Sequence, residues 1–151
     1  MLSGDLRYLE ILKRTYPKIK KFSLEIGIQT YKNMFEVDLE IKNLFKNTPP
    51  EQAQRLIETA LLYCEKIDNF NLIFDRLDKI AHIHIQHGVK NSYYPVMEKA
   101  FVKALCDTLD IDETDQLVQA WSYGLGKLSQ ELMHAENLIR KYSATDVPFE
   151  T

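Results

Sequence analysis

Three of the four histidines fall close together, at His82, His84 and His87, and imidazoles so grouped raise the question of a metal. A shared zinc ion would need them on one face. Residues two apart on a helix point to different faces, so His82 and His84 cannot easily hold the same ion. Their surroundings separate them further. Ile73, Leu77 and Ile80 are spaced four and three, and four more residues reach His84, which therefore lies on the buried stripe. His82 projects with Asp75 and Asp78 toward solvent, and His87 sits at the helix end beside Gly88. A single imidazole on an apolar stripe is either a hydrogen-bonded core residue or a ligand. This helix alone leaves both readings open.

Other polar groups share apolar stripes. Leu24, Ile28, Tyr31 and Phe35 keep a four-three-four rhythm that buries the Tyr31 ring, whose hydroxyl then needs a partner. Gln52 and Leu56 align with Ala60 and Tyr63, although Gln52 could equally be a solvated first-turn residue. Trp121, Leu125, Leu128 and Leu132 form one face, and four residues on that face meets Glu136. A carboxylate there must reach water or be paired, because an isolated buried charge is costly. Tyr94 opens the stripe Tyr94, Met97, Phe101 and Ala104, and could donate to such a carboxylate. The same two residues could also stand unrelated near their helix ends. Cys64 and Cys106 lack metal-type spacing and read as buried thiols of a reducing cytoplasm, with a disulfide left open.

The elements that must position these groups are helices. Sustained alternation of apolar and polar residues is absent, and the five glycines and five prolines fall mostly between helical stretches. Thr48, Pro49 and Glu51 read as an N-cap, an N1 proline and an acidic first turn. Asn69–Asn71 breaks one helix, Gly88 closes the next, Ser92–Pro95 opens another, and Asp110–Asp115 turns into the last. Helices are expected near 4–17, 20–36, 50–67, 72–86, 92–108 and 112–141, with a helical turn near 37–44.

A chain of 151 residues suits one domain, with the first few residues and 142–151 as tails. A net charge of −3 argues against a nucleic-acid binder that works by phosphate neutralisation. The basic run from Lys13 to Lys21 reads as a solvated helix face. Nothing approaches the ~20 apolar residues of a membrane span. Asp5, Arg7 and Glu10 interrupt any leader, so a cytoplasmic location is expected.

Taken in order, these residues resemble a known family. Tyr31-Lys32-Asn33-Met34-Phe35 and Ile41-Lys42-Asn43-Leu44-Phe45 resemble the B helix and CD corner of bacterial globins. Ile80 through His84, then Gly88-Val89-Lys90 and Tyr94-Pro95-Val96, look like the end of the F helix and the start of the G helix. Ala120-Trp121 followed by Glu136 resembles the H helix. The likeness is to flavohaemoglobin haem domains and single-domain bacterial haemoglobins, and runs from about residue 20 to residue 141. The interval from Phe45 to Gln52 looks a few residues shorter than in flavohaemoglobins.

This resemblance implies an all-α globin fold, a three-over-three helical sandwich around haem b (iron protoporphyrin IX). His84 would be the proximal iron ligand, with Phe45 on the porphyrin face. Tyr31 and Gln52 would be the distal pair, Leu56 would follow one turn on, and Val89 and Met97 would line the pocket. Tyr94 and Glu136 would buttress His84, because a second-shell carboxylate fixes a ligating imidazole and makes it more electron-rich. The implied function is reversible binding of dioxygen and nitric oxide. Nitric oxide dioxygenation would draw on an external electron donor or reductase, since no flavin- or nicotinamide-binding portion lies within these residues. The alternatives are a haem-based gas sensor that signals to a partner protein and a haem-free helical interaction protein. Haem-free relatives usually lack the proximal histidine, which is present here.

Overall fold

Two aspartates, Asp38 and Asp115, start helices in this chain by accepting a backbone N–H of the first turn. The computed structural model describes residues 2–47, 51–67, 69, 71 and 73–146, without the side chains of 2–5, 51–54, 56 and 144–146. Seven helices occur among the described residues: α1 (Leu2–Lys21), α2 (Ser23–Val37), α3 (Leu39–Leu44), α4 (Glu51–Glu65), α5 (Phe74–Gln86), α6 (Tyr93–Leu109) and α7 (Gln116–Asp146). No strand occurs among them. Asp38 caps α3 by accepting from the Ile41 N–H at 3.1 Å.

The largest departures from the expected boundaries are at the end of α1 and at both ends of α7. α1 continues through Pro17 to Lys21. The proline is exposed, and fully buried Ile19 holds the last turn on the core. α7 starts later than residue 112 because that acidic stretch is spent on the turn. Asp112 accepts from the Thr114 N–H at 2.9 Å, and Asp115 accepts from the Leu117 N–H at 2.8 Å. α7 also runs on to Asp146, past the expected end near 141. The cap expected at Thr48 and Pro49 lies outside the described residues.

The helices pair as in the expected three-over-three sandwich. α2 crosses α6 and lies against α4, while α1 and α5 both pack on α7. Trp121 is completely buried in the core, and its indole N–H donates to Thr15 Oγ1 at 2.8 Å. Gly124 lets α7 approach α4 closely, since a Cβ there would stand 2.7 Å from Cys64 Sγ. Neither cysteine forms a disulfide; Cys64 is buried and Cys106 is half-exposed rather than buried. Lys13, Arg14, Lys18, Lys20 and Lys21 are all exposed, as expected of a solvated face.

α2 corrects the sequence reading. Leu24 and Ile28 are not buried but 50% and 53% exposed, and Tyr31 and Phe35 are half-buried. The face that packs carries Ile26, Gly27, Thr30, Asn33 and Met34. Small and polar residues work there because their hydrogen bonds are met inside the protein. Thr30 Oγ1 donates to the Ile26 carbonyl at 2.7 Å, and Asn33 Nδ2 donates to the Ala100 carbonyl of α6 at 3.0 Å.

Candidate functional site

The last turn of α5 carries His84, and three consecutive facts fix its imidazole. Glu136 Oε2 lies 2.9 Å from His84 Nδ1, and the Tyr94 oxygen lies 3.0 Å from the same nitrogen. Tyr94 donates its hydroxyl proton to Glu136 Oε2 at 2.6 Å. A carboxylate can only accept, and the tyrosine proton is already committed. Nδ1 must therefore carry a proton, which in the neutral imidazole leaves the lone pair on Nε2. The ring is 29% exposed, whereas Glu136 is fully buried.

The buried carboxylate is what the Trp121 stripe led to, and it is paired as that stripe required. Oε2 takes both hydrogen bonds, and Oε1 has no partner among the described residues. Burying a carboxylate is costly, and the two bonds to Oε2 offset part of that cost. Burial, reinforced by the bond to Glu136, pushes the Tyr94 phenol far above its usual range. Tyr94 is therefore a permanent donor to the carboxylate.

A second group gathers around Tyr31. Its ring lies edge-on to Phe45 at 5.3 Å and is tilted against Phe35 at 5.8 Å. These aromatics pack with Met34, Ile41 and Ala100. Burial pushes the Tyr31 phenol up to about 12, so it stays protonated and able to donate. Its hydroxyl makes no hydrogen bond to a described residue. Met97 packs against both this cluster and the main core, which holds Tyr94, Ile80 and Val89. The side chains of Gln52 and Leu56 lie outside the described residues. The structure thus unites His84, Tyr94 and Glu136, and separately Tyr31 with Phe45.

Zinc chemistry finds no support. His82 is exposed and pairs with Asp78 at 3.6 Å, away from His84, and no metal cluster of His, Cys, Asp and Glu occurs among the described residues. A single imidazole fixed through Nδ1 would instead fit an iron carried by a porphyrin. That is the donor set a haem needs from a protein.

Two interactions around the site had no sequence signal. Glu40 of α3 accepts from Tyr93 at 2.6 Å and from Lys90 at 2.5 Å, and these bonds hold its carboxyl below the usual range. The adjacent tyrosines 93 and 94 thus engage carboxylates on different elements, α3 and α7. Arg140 of α7 binds the α5–α6 corner through the Val89 carbonyl.

The chain is similar to known proteins over most of its length. A globin family model matches residues 28–132. A flavohemoprotein of Chromobacterium violaceum is 30% identical over 140 residues, 91% of this chain and 34% of that protein. One from Bordetella pertussis is 27% identical over 148 residues, 96% of this chain and 36% of that protein. The chain thus spans about a third of the length of these relatives. Among solved structures, a bacterial globin from Campylobacter jejuni superposes with a TM-score of 0.80 at 27% identity, covering 89% of this chain and 98% of that one. An engineered carbene transferase made from a candidate nitric oxide dioxygenase of Rhodothermus marinus gives 0.82 at 25% identity, covering 91% and 96%.

Proposed function

Since this chain belongs to the globin family and is homologous to the globin domain of flavohaemoglobins, we propose that it binds haem b through His84 and takes up dioxygen and nitric oxide. The observation that carries the reading is the single imidazole whose Nδ1 proton is locked onto buried Glu136. The residues act as one globin domain in the cytoplasm.

Haem, when bound, supplies an iron centre that holds a diatomic gas and exchanges electrons. The chain's own groups do the rest. Nε2 of His84 would ligate the iron, and Glu136 would make that nitrogen a stronger donor by holding the Nδ1 proton. Tyr94 keeps the carboxylate in place with its bond at 2.6 Å. Phe45 would pack on one porphyrin face, with Leu56, Val89 and Met97 lining the pocket. On the far side the Tyr31 hydroxyl would donate to a gas that carries partial negative charge, with Gln52 in support. A donating proximal ligand and a distal proton donor suit oxygen chemistry as well as carriage. Nitric oxide dioxygenation, with a reductase as the electron source, is the activity this arrangement fits.

The test is the absorption spectrum of the purified protein with added haemin. A Soret band that is lost or strongly shifted in His84→Ala is the expected result. No band, or one unchanged by the substitution, overturns the assignment. Nitrate formation from nitric oxide under a supplied reductant then separates turnover from carriage.

A further inference from the structure

The bonds that end α5 run in an unbroken series from the main chain of His84 to a second residue of α7. Gly88 sits at φ +78°, the left-handed region that ends helices. With that reversal the Gly88 N–H reaches the Ile85 carbonyl at 3.2 Å, and the Val89 N–H reaches the carbonyl of His84 itself at 2.9 Å. The Val89 carbonyl, in turn, accepts from Arg140 Nη2 at 2.8 Å. The other arm of the guanidinium, Nη1, donates to Asn137 Oδ1 at 3.0 Å and to Asn91 Oδ1 at 3.4 Å. Asn91 Nδ2 adds a bond of 3.1 Å to Asn137 Oδ1.

Arg140 stands one turn beyond Glu136 on α7. One helix therefore grips His84 twice, at its ring through Glu136 and at its carbonyl through Arg140 and Val89. We propose that Arg140 is a positioning residue for His84. It fixes the corner 89–91 on α7 and so sets the angle at which the imidazole meets Glu136. The work is done by the planar fork, whose two arms hold acceptors on different segments at once; a lysine keeps the charge but cannot span them.

The claim about the iron rests on the proposed haem binding, while the claim about the corner does not. Arg140→Lys and Arg140→Gln are compared with the unaltered chain by amide hydrogen exchange without haem. Both should exchange Val89 at least tenfold faster, with the amides of α1 and α2 unchanged. With haem bound, both should shift or broaden the ferrous iron–histidine stretching band. Exchange that rises equally throughout the chain, or that stays at the original rate at Val89 in either variant, overturns the proposal. An Arg140→Lys variant with the original exchange and band would assign the effect to charge and likewise overturns it. If no Soret band forms, the haem reading fails, and exchange at Val89 still decides the role of Arg140.

Discussion

Replacing Tyr94 with Phe deletes one oxygen from the middle of the buried triad and leaves the ring in place. The lost bond is short, at 2.6 Å, and joins a residue 5% exposed to one fully buried. Hydrogen bonds to charged groups contribute about 1.5–3 kcal/mol. Two features of the site set the value within that range. Glu136 Oε1 has no partner among the described residues, so the variant leaves a buried carboxylate with one hydrogen bond to them, which raises the cost. His84 Nδ1 keeps Glu136 as its acceptor, so no donor is orphaned, which lowers it. A loss of about 2 kcal/mol follows.

Urea denaturation of the haem-free protein measures this loss directly. In a double-mutant cycle with Glu136→Gln, the two losses should fall short of additivity by roughly 1 kcal/mol or more, since they remove the same contact. The pH dependence has a definite sign. The Tyr94 phenol is raised in the folded state, by burial first and Glu136 second. Its contribution is fully present below about pH 10, where the unfolded phenol is still protonated, and is lost as pH rises through the folded value. The gap between the two proteins should therefore stay level from about pH 7 to 9 and narrow above about 10. A gap below about 0.5 kcal/mol, or one that widens in alkali, would refute the account of Glu136 as a carboxylate held by Tyr94.

Tyr31, pushed up to about 12 by burial, should keep its proton through pH 10, and its contribution to stability should fade only as pH climbs beyond that. Ultraviolet titration should show one fewer phenol ionising near 12 in Tyr31→Phe, and oxygen dissociation from the haem-bound variant should be roughly tenfold faster or more. Gly124→Ala would bring a Cβ to 2.7 Å from Cys64 Sγ and should cost about 1–3 kcal/mol in thermal unfolding, with Cys64→Ala on top recovering part of the loss. Gly88→Ala meets no atom within 4 Å, yet its φ of +78° should still cost about 1–2 kcal/mol. The same substitution should loosen the Val89 amide in exchange measurements.

Much of this protein is legible in its period. His84 could be distinguished from His82 because Ile73, Leu77 and Ile80 count forward to one and not the other, and the exposures agree. Trp121, Leu125, Leu128 and Leu132 led to Glu136 in the same way, and all five are buried. α2 shows where counting fails. Its most apolar stripe is not its buried one, because the close crossing with α6 favours Gly27, Thr30 and Asn33 over bulk. A hydropathy pattern does not register that preference when the polar groups find partners inside the protein.

The sequence by itself determined that the chain is helical, and that His84, Tyr94 and Glu136 each lie on the inward stripe of its own helix. Periodicity left open whether those stripes meet, and only the resemblance to globins implied that they do. Periodicity records direction about a helix axis, whereas a hydrogen bond of about 3 Å depends on how separate axes cross. Only the packing of α5 and α6 on α7 put the three groups in contact, and it also chose the nitrogen. With Nδ1 given to Glu136, Nε2 is the one left for a metal. The grip of Arg140 on the corner and the bond from Tyr93 to Glu40 belong wholly to the tertiary structure. They join residues 51 and 53 apart in sequence through side chains that no stripe had marked.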